Sequence, residues 1–553
     1  MRQLFLSFLL GILLWQPAFS QKLAAGPQVL TIHSDLDDTE QPYALYIPKD
    51  YDEKNAYPLM VMLHGAGSNH RLALRRVFGK SNAEGETDVE ASRYFPEWED
   101  VNYIVVAPYA RGTAGYQGVA EHDVMQILED VKKRFTIDEN RIYLTGLSMG
   151  GGGTVWMGLT RPDIWAAIAP VCPAPPMEAM ELLGNSFNYP VHFFQGGADP
   201  VVPAEGTKRL VSGMQAEGTD VSYVEYPGVL HDSWVNAYAD GFIFDWFDSY
   251  TRNPNPMKVK FATKQLKYDK AYWVQFTEIA PGKLAEIEAT FQNDGSLNIT
   301  TANLLAFSLD LAKHPDYNDS KPLTIRIDGE TKQLAPSPEF HLYKDETGWN
   351  QGIKESKSLS KRRGLEGPIF DAFSQRHVYV FGTLDNPSDE ELAKRRADAL
   401  EAANWSNYRG EFLGRMMFFP RVISDKEVRP SDLEDANLIL FGDANTNSMI
   451  AGMKDILPIH LAQNDGETGL LYIYPQGENY VVINSGLNWW ANLKETGYPF
   501  VSLTHRVLPQ FKDYILFEKS IDQPLAEGYF ENDWTLSTEA KETMKKSGKV
   551  NIR

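Results

Sequence analysis

The sequence predicts an α/β protein: a mostly parallel β-sheet covered by helices, then a small all-β unit, then a C-terminal unit of mixed α/β character. Three observations predict it. Up to about residue 254, apolar runs of strand length alternate with stretches of helical period. From 257 to 350 the pattern becomes polar–apolar alternation broken by Gly, Asn and Asp. From 365 to 553 both patterns occur together. A chain of 553 residues also exceeds one ordinary domain.

In the first region the strand candidates are 57–64, 101–108, 141–147, 164–171, 191–195 and 221–226, each rich in aliphatic, β-branched or aromatic residues. Residues 123–135 carry apolar positions at helical spacing, and 241–250 read as an aromatic closing helix. Pro254 and Pro256 mark a turn-rich linker at 252–256. In the second region, strand candidates at 272–277, 284–291, 297–311 and 323–328 suggest a β-sandwich. The basic, polar stretch 354–364 reads as a second linker. Beyond it, strands are expected at 377–383, 437–442, 470–474, 480–483 and 513–518, with a charged helix at 389–404. The expected domains are therefore 21–254, 257–350 and 365–553.

Residues 1–20 read as a cleavable export signal. Arg2 gives a positive start, and residues 4–15 form an apolar run of twelve, too short to cross a bilayer core of roughly 30 Å. Ala18 and Ser20 provide the small residues that a signal peptidase reads, so an exported, periplasmic or extracellular protein is expected. Acidic residues outnumber basic ones, 74 to 53. That balance argues against nucleic acid or a membrane surface as partner, since both recruit clustered Lys and Arg. The single cysteine, Cys172, sits in an apolar segment and reads as a buried structural thiol.

Chemistry enters at Gly146-Leu147-Ser148-Met149-Gly150, a G-x-S-x-G pattern. It follows a strand directly and precedes a helix-compatible stretch, which is the setting of a nucleophile elbow and makes Ser148 the candidate nucleophile of an α/β-hydrolase fold. The glycines fit because the turn forces the serine into a strained backbone geometry with no room for neighbouring Cβ atoms. An acyl-transfer intermediate needs donors for its oxyanion. One is expected from the N–H of Met149, the other from the loop after the strand 57–64. Ala66 is the candidate there, with Gly65 and Gly67 letting the backbone approach the substrate; His64 reads as structural.

The fold's chain order is Ser, then acid, then His. Asp199 and His231 each lie just past the end of a strand and take those places. Glu225 lies inside a strand and Asp232 adjoins His231. His122 precedes the elbow and His192 begins a strand, so these four fit less well. Trp234 is the candidate pocket wall near His231, and neither a metal nor a cofactor is called for. Trp489-Trp490 and Tyr272-Trp273 offer at most one ring each to a sugar, and core packing is the simpler reading.

At this point a family resemblance is legible. Residues 63–67, 141–151, 197–203 and 231–234 resemble extracellular carboxylesterases of the polyhydroxybutyrate-depolymerase, feruloyl-esterase and esterase D type, and more distantly the catalytic domain of prolyl oligopeptidases. The likeness covers about 40% of the chain. It implies metal-free ester hydrolysis; export and the appended regions add the expectation of acyl groups, acetyl or feruloyl in type, on polysaccharides or oligosaccharides as substrates. A serine peptidase and a non-catalytic binding protein on a hydrolase scaffold are the competing readings. The former is weakened because fewer than forty residues separate the expected cleavage from the first core strand, where prolyl oligopeptidases carry a propeller.

Overall fold

The computed structural model describes residues 23–354, 359–406, 415–494 and 502–553. The expected export signal at 1–20 lies outside the described residues, as does part of the expected second linker.

The first region is an eight-stranded sheet. In chain order its strands are β1 (Gly26–Ser34), β2 (Thr39–Ile47), β3 (Tyr57–Leu63), β4 (Ile104–Pro108), β5 (Ile137–Leu147), β6 (Ala167–Val171), β7 (Val191–Gly196) and β8 (Val221–Tyr226). Their spatial order is β1-β2-β4-β3-β5-β6-β7-β8. The β1–β2 and β2–β4 pairs are antiparallel and the rest are parallel. This is the α/β-hydrolase sheet. The central strands β3, β4 and β6 are buried along their whole length, as expected of strands covered on both faces.

Its helices are α1 (His70–Val77), α2 (Asp88–Ala91), α3 (Val119–Arg134), α4 (Met149–Thr160), α5 (Ala204–Ala216), α6 (Trp234–Ala237) and α7 (Phe242–Asp248). Of these, α4 is the most enclosed: every residue from Gly150 to Thr160 is buried. Five glycines and no charged side chain make this possible, since nothing on the helix needs water and its backbone lies close to its neighbours.

The second region packs two five-stranded sheets face to face between Lys258 and Gln351. Phe261 of one sheet meets Phe276 of the other with ring centroids 5.0 Å apart. The expected strand at 297–311 is two strands, Leu297–Ala302 and Leu304–Asp310, because Asn303 takes a left-handed conformation (φ 52°) and turns the chain from one sheet to the other.

The third region holds a seven-stranded sheet. Its strands Arg421–Ser424, His377–Phe381, Asn437–Phe441 and Asn479–Gly486 are parallel neighbours, and the other three add antiparallel. It docks on the first region. Arg376 makes a two-pronged contact with Asp38 at 2.7 and 2.6 Å. Arg111, wholly buried, binds Asp37, Asp123 and the carbonyl of Met417. No helix of the described residues is long and apolar enough to cross a membrane.

Candidate active site

The parallel strands deliver their C-terminal ends to one edge of the sheet, where loops gather the predicted residues. Ser148 sits between β5 and α4 with φ 55° and ψ −117°, a conformation costing on the order of 1–3 kcal/mol. The turn is tight enough that a Cβ on Gly146 would lie 2.4 Å from the Gly150 carbonyl oxygen, and one on Gly150 would lie 2.1 Å from that of Leu63. Both positions therefore require glycine.

Ser148 Oγ is 2.9 Å from Nε2 of His231, and Nδ1 of His231 is 2.8 Å from Oδ2 of Asp199. A carboxylate accepts only, so the ring proton sits on Nδ1 and Nε2 is left to accept the serine hydroxyl proton. Asp199 is itself held fast. Its Oδ1 accepts from the N–H groups of Val201 (2.8 Å) and Val202 (2.9 Å), and Gln195 donates to Oδ2 at 3.3 Å. Gln195 is oriented in turn by Thr207, which donates to its Oε1 at 2.7 Å, and by the Val202 carbonyl.

The N–H groups of Met149 and Ala66 make no hydrogen bond among the described residues. Gly65 adjoins the nucleophile, since a Cβ there would meet Leu147 at 2.8 Å and the Ser148 Cβ at 3.5 Å. His64 is buried and its two ring nitrogens each lie 2.8 Å from a carbonyl oxygen, of Gly65 and of Tyr109. Tyr116 donates to the His64 carbonyl (3.0 Å), and the Gly67 N–H donates to Thr113 (2.9 Å). The loop is thus pinned on three sides. Burial holds the His64 pKa below that of a free imidazole, in keeping with a structural role.

Trp234 presents its ring edge-on to His231, centroids 5.6 Å apart at 87°. The rivals stand apart. Glu225 is engaged by Tyr223 (2.6 Å) and Lys208 (3.0 Å), His122 pairs with Asp35 (2.8 Å), and His192 stacks on Phe194. Cys172 is buried, its thiol pushed up to about 12 by desolvation, and Sγ faces the His231 carbonyl at 3.6 Å. With Asp199 and His231 it forms the one group of three potential metal ligands among the described residues. A thiol held protonated, beside an imidazole already shared by serine and aspartate, is poorly suited to a cation. Trp489, Trp273 and Tyr272 are buried in their own cores and form no sugar platform.

One residue had no sequence signal. Arg76 of α1 donates to the Ser68 hydroxyl (3.1 Å) in the loop carrying Ala66, pairs with Asp88 (3.2 and 3.3 Å), and lies 5.3 Å over the Trp234 ring. It ties the oxyanion-side loop to the aromatic neighbour of His231. In the sequence it is one of two adjacent arginines in a stretch that carries no motif.

Fold and site together define the class: an α/β-hydrolase with a serine at its nucleophile elbow. Residues 36–190 match the family model Esterase, described as "Putative esterase", which supports an esterase of this type. "Probable feruloyl esterase C" of Aspergillus oryzae is 26% identical over 215 residues, covering 38% of this chain and 74% of that protein. "Poly(3-hydroxyalkanoate) depolymerase C" of Paucimonas lemoignei is 38% identical over 52 residues, 9% of this chain and 13% of that one, so only a small part of the depolymerase is spanned. Among solved structures, a thermostable esterase is 28% identical with a TM-score of 0.34, covering 41% of this chain and 63% of its own.

Proposed function

We propose that the protein is an exported serine carboxylesterase of the feruloyl-esterase type, acting on acyl groups carried by polysaccharides or oligosaccharides. One observation carries this reading: the unbroken hydrogen-bonded series from Ser148 through His231 to Asp199, beside two unpaired backbone donors. Residues 1–20 support export, and the likeness to feruloyl esterases supports the substrate class.

In the proposed cycle His231 takes the Ser148 proton as Oγ attacks the ester carbonyl. The Met149 and Ala66 N–H groups receive the oxyanion, and the dipole of α4 points its positive end at the same place. His231 then hands its proton to the departing alcohol, leaving an acyl-enzyme. Water, deprotonated by His231, attacks this intermediate and releases the acid and Ser148. Asp199 keeps Nδ1 protonated and offsets the imidazolium charge throughout. Gly65 gives backbone access and Trp234 a wall for the bound ester.

Turnover of p-nitrophenyl acetate and methyl ferulate tests the reading. Both should be hydrolysed, and Asp199→Asn should lower kcat on the order of 10⁴-fold. No turnover of any acyl ester by folded protein overturns it.

A further inference from the structure

A small cleft of about 80 Å³ opens where the three regions meet, apart from the Ser148 array. The first region contributes Gln117 and Trp156, the chain entering the second contributes Lys267 and Tyr268, and the third contributes Phe370 and Asp371. Three polar groups in it retain unused hydrogen-bonding capacity. The side chains of Gln117 and Lys267 are half-buried, and neither makes a hydrogen bond or ion pair among the described residues. Asp371 is 4% exposed, and both of its bonds, from Tyr480 (2.8 Å) and Gln375 (3.1 Å), fall on Oδ2, so Oδ1 is unpartnered.

These groups alternate in character: an amide that both donates and accepts, an ammonium that donates, and a carboxyl oxygen that accepts. Half-buried Phe370 gives aromatic surface beside them, with the buried Trp156 and Tyr268 rings packed edge-to-face behind (5.8 Å). Aromatic carbon next to a few convergent polar groups suits a ligand with an apolar face and a rim of hydroxyls. An anion is disfavoured, because Glu178 and Glu181 line the same cleft and Glu121 lies behind it, bonded to Tyr268.

The cleft shares two chain elements with the nucleophile. Trp156 follows Ser148 by eight residues on α4, about 12 Å along the helix axis. The chain that lines the cleft at Glu178 starts from Ala174, whose N–H donates to the Ser148 carbonyl (3.3 Å). We propose that this cleft is a remote subsite for the carbohydrate portion of the substrate, holding a neutral sugar residue while the acyl group lies at Ser148. This rests on the ester-hydrolase reading given above.

Two measurements on the full chain separate the two ideas. First, the Ser148→Ala protein is titrated calorimetrically with unacylated xylotetraose and cellotetraose. Binding of at least one in the millimolar range is expected, and it should be lost in folded Gln117→Leu and Phe370→Ala backgrounds. Second, with Ser148 intact, Gln117→Leu should raise KM for a feruloylated xylo-oligosaccharide about tenfold while leaving p-nitrophenyl acetate turnover unchanged. No binding of either tetrasaccharide, binding untouched by both substitutions, or an unchanged KM for the feruloylated xylo-oligosaccharide in Gln117→Leu overturns the subsite. Loss of the ester-hydrolase reading is seen separately, as absent turnover of p-nitrophenyl acetate whatever the titration gives.

Discussion

Arg76 shows how much of the site depends on side chains that touch no substrate. Its guanidinium spans Ser68, Asp88 and the Trp234 ring, so it fixes the oxyanion-side loop and the neighbour of His231 relative to each other. Removing it should displace both by a fraction of an ångström, and misplacement on that scale costs as much as about a hundredfold in rate. Arg76→Ala is therefore expected to lower kcat on the order of tenfold or more with little change in KM. Arg76→Lys should recover only part, since an ammonium cannot reproduce the fork. Steady-state kinetics on a soluble ester, with thermal melts to verify folding, checks this; a pure KM effect would contradict it. At this scale Ser148, Asp199 and His231 were legible because motif, strand ends and chain order each constrain them. Arg76, Ser68 and Gln195 were not, because their partners are distant in sequence and their residue types are common on surfaces.

Among elements, legibility followed burial. The runs at β3, β4, β6 and β7 declare themselves because both faces are covered, and helix α4 was visible as the stretch after the elbow. The β1–β2 hairpin went unread. β1 is an edge strand, only partly buried along most of its length, and polar residues interrupt its pattern. The strand read as 297–311 hid its break at Asn303, since a single left-handed residue leaves little mark on periodicity. The third region's strand His377–Phe381 leads to a pH prediction. Burial pushes His377 down to about 4 against an ordinary value of 6.5, and His505, which bonds to the same Tyr379 hydroxyl, is lowered as well. Above pH 6.5 both folded and unfolded forms are neutral. As pH falls towards 4 only the unfolded chain gains protons, so stability is lost over that window. Thermal melts should show the transition falling progressively from pH 6.5 to 4, with His377→Gln flattening the slope. An unchanged slope would contradict the assignment.

Across the whole molecule, the third region seats on a buried charge cluster of the first, which it meets through the Met417 carbonyl (3.2 Å) on Arg111 and the Phe419 N–H (3.0 Å) on Asp37. Arg111 and its partners Asp37 and Asp123 have no exposed side-chain surface, and the Arg111 guanidinium also stacks over Phe418, 5.2 Å away. Removing one member of such a group strands the others without solvent, at a cost of about 3–5 kcal/mol. Arg111→Met should lower the melting temperature and expose the junction near Met417 to limited proteolysis. A protease pattern identical to the parent's would show that the regions are held elsewhere. This junction adjoins the loop beside Ser148, because Tyr109, whose carbonyl meets His64, also donates through its hydroxyl to the Arg415 carbonyl (3.3 Å). None of this was readable from the sequence, which separates the regions along the chain but does not show how they meet.

Activation of Ser148 as a nucleophile by His231 is tested most directly by intact-mass spectrometry after exposure to a fluorophosphonate. One adduct per chain is expected, mapped to Ser148, absent in Ser148→Ala and strongly slowed in His231→Ala. An unlabelled folded protein, or an adduct that persists in Ser148→Ala, would contradict it.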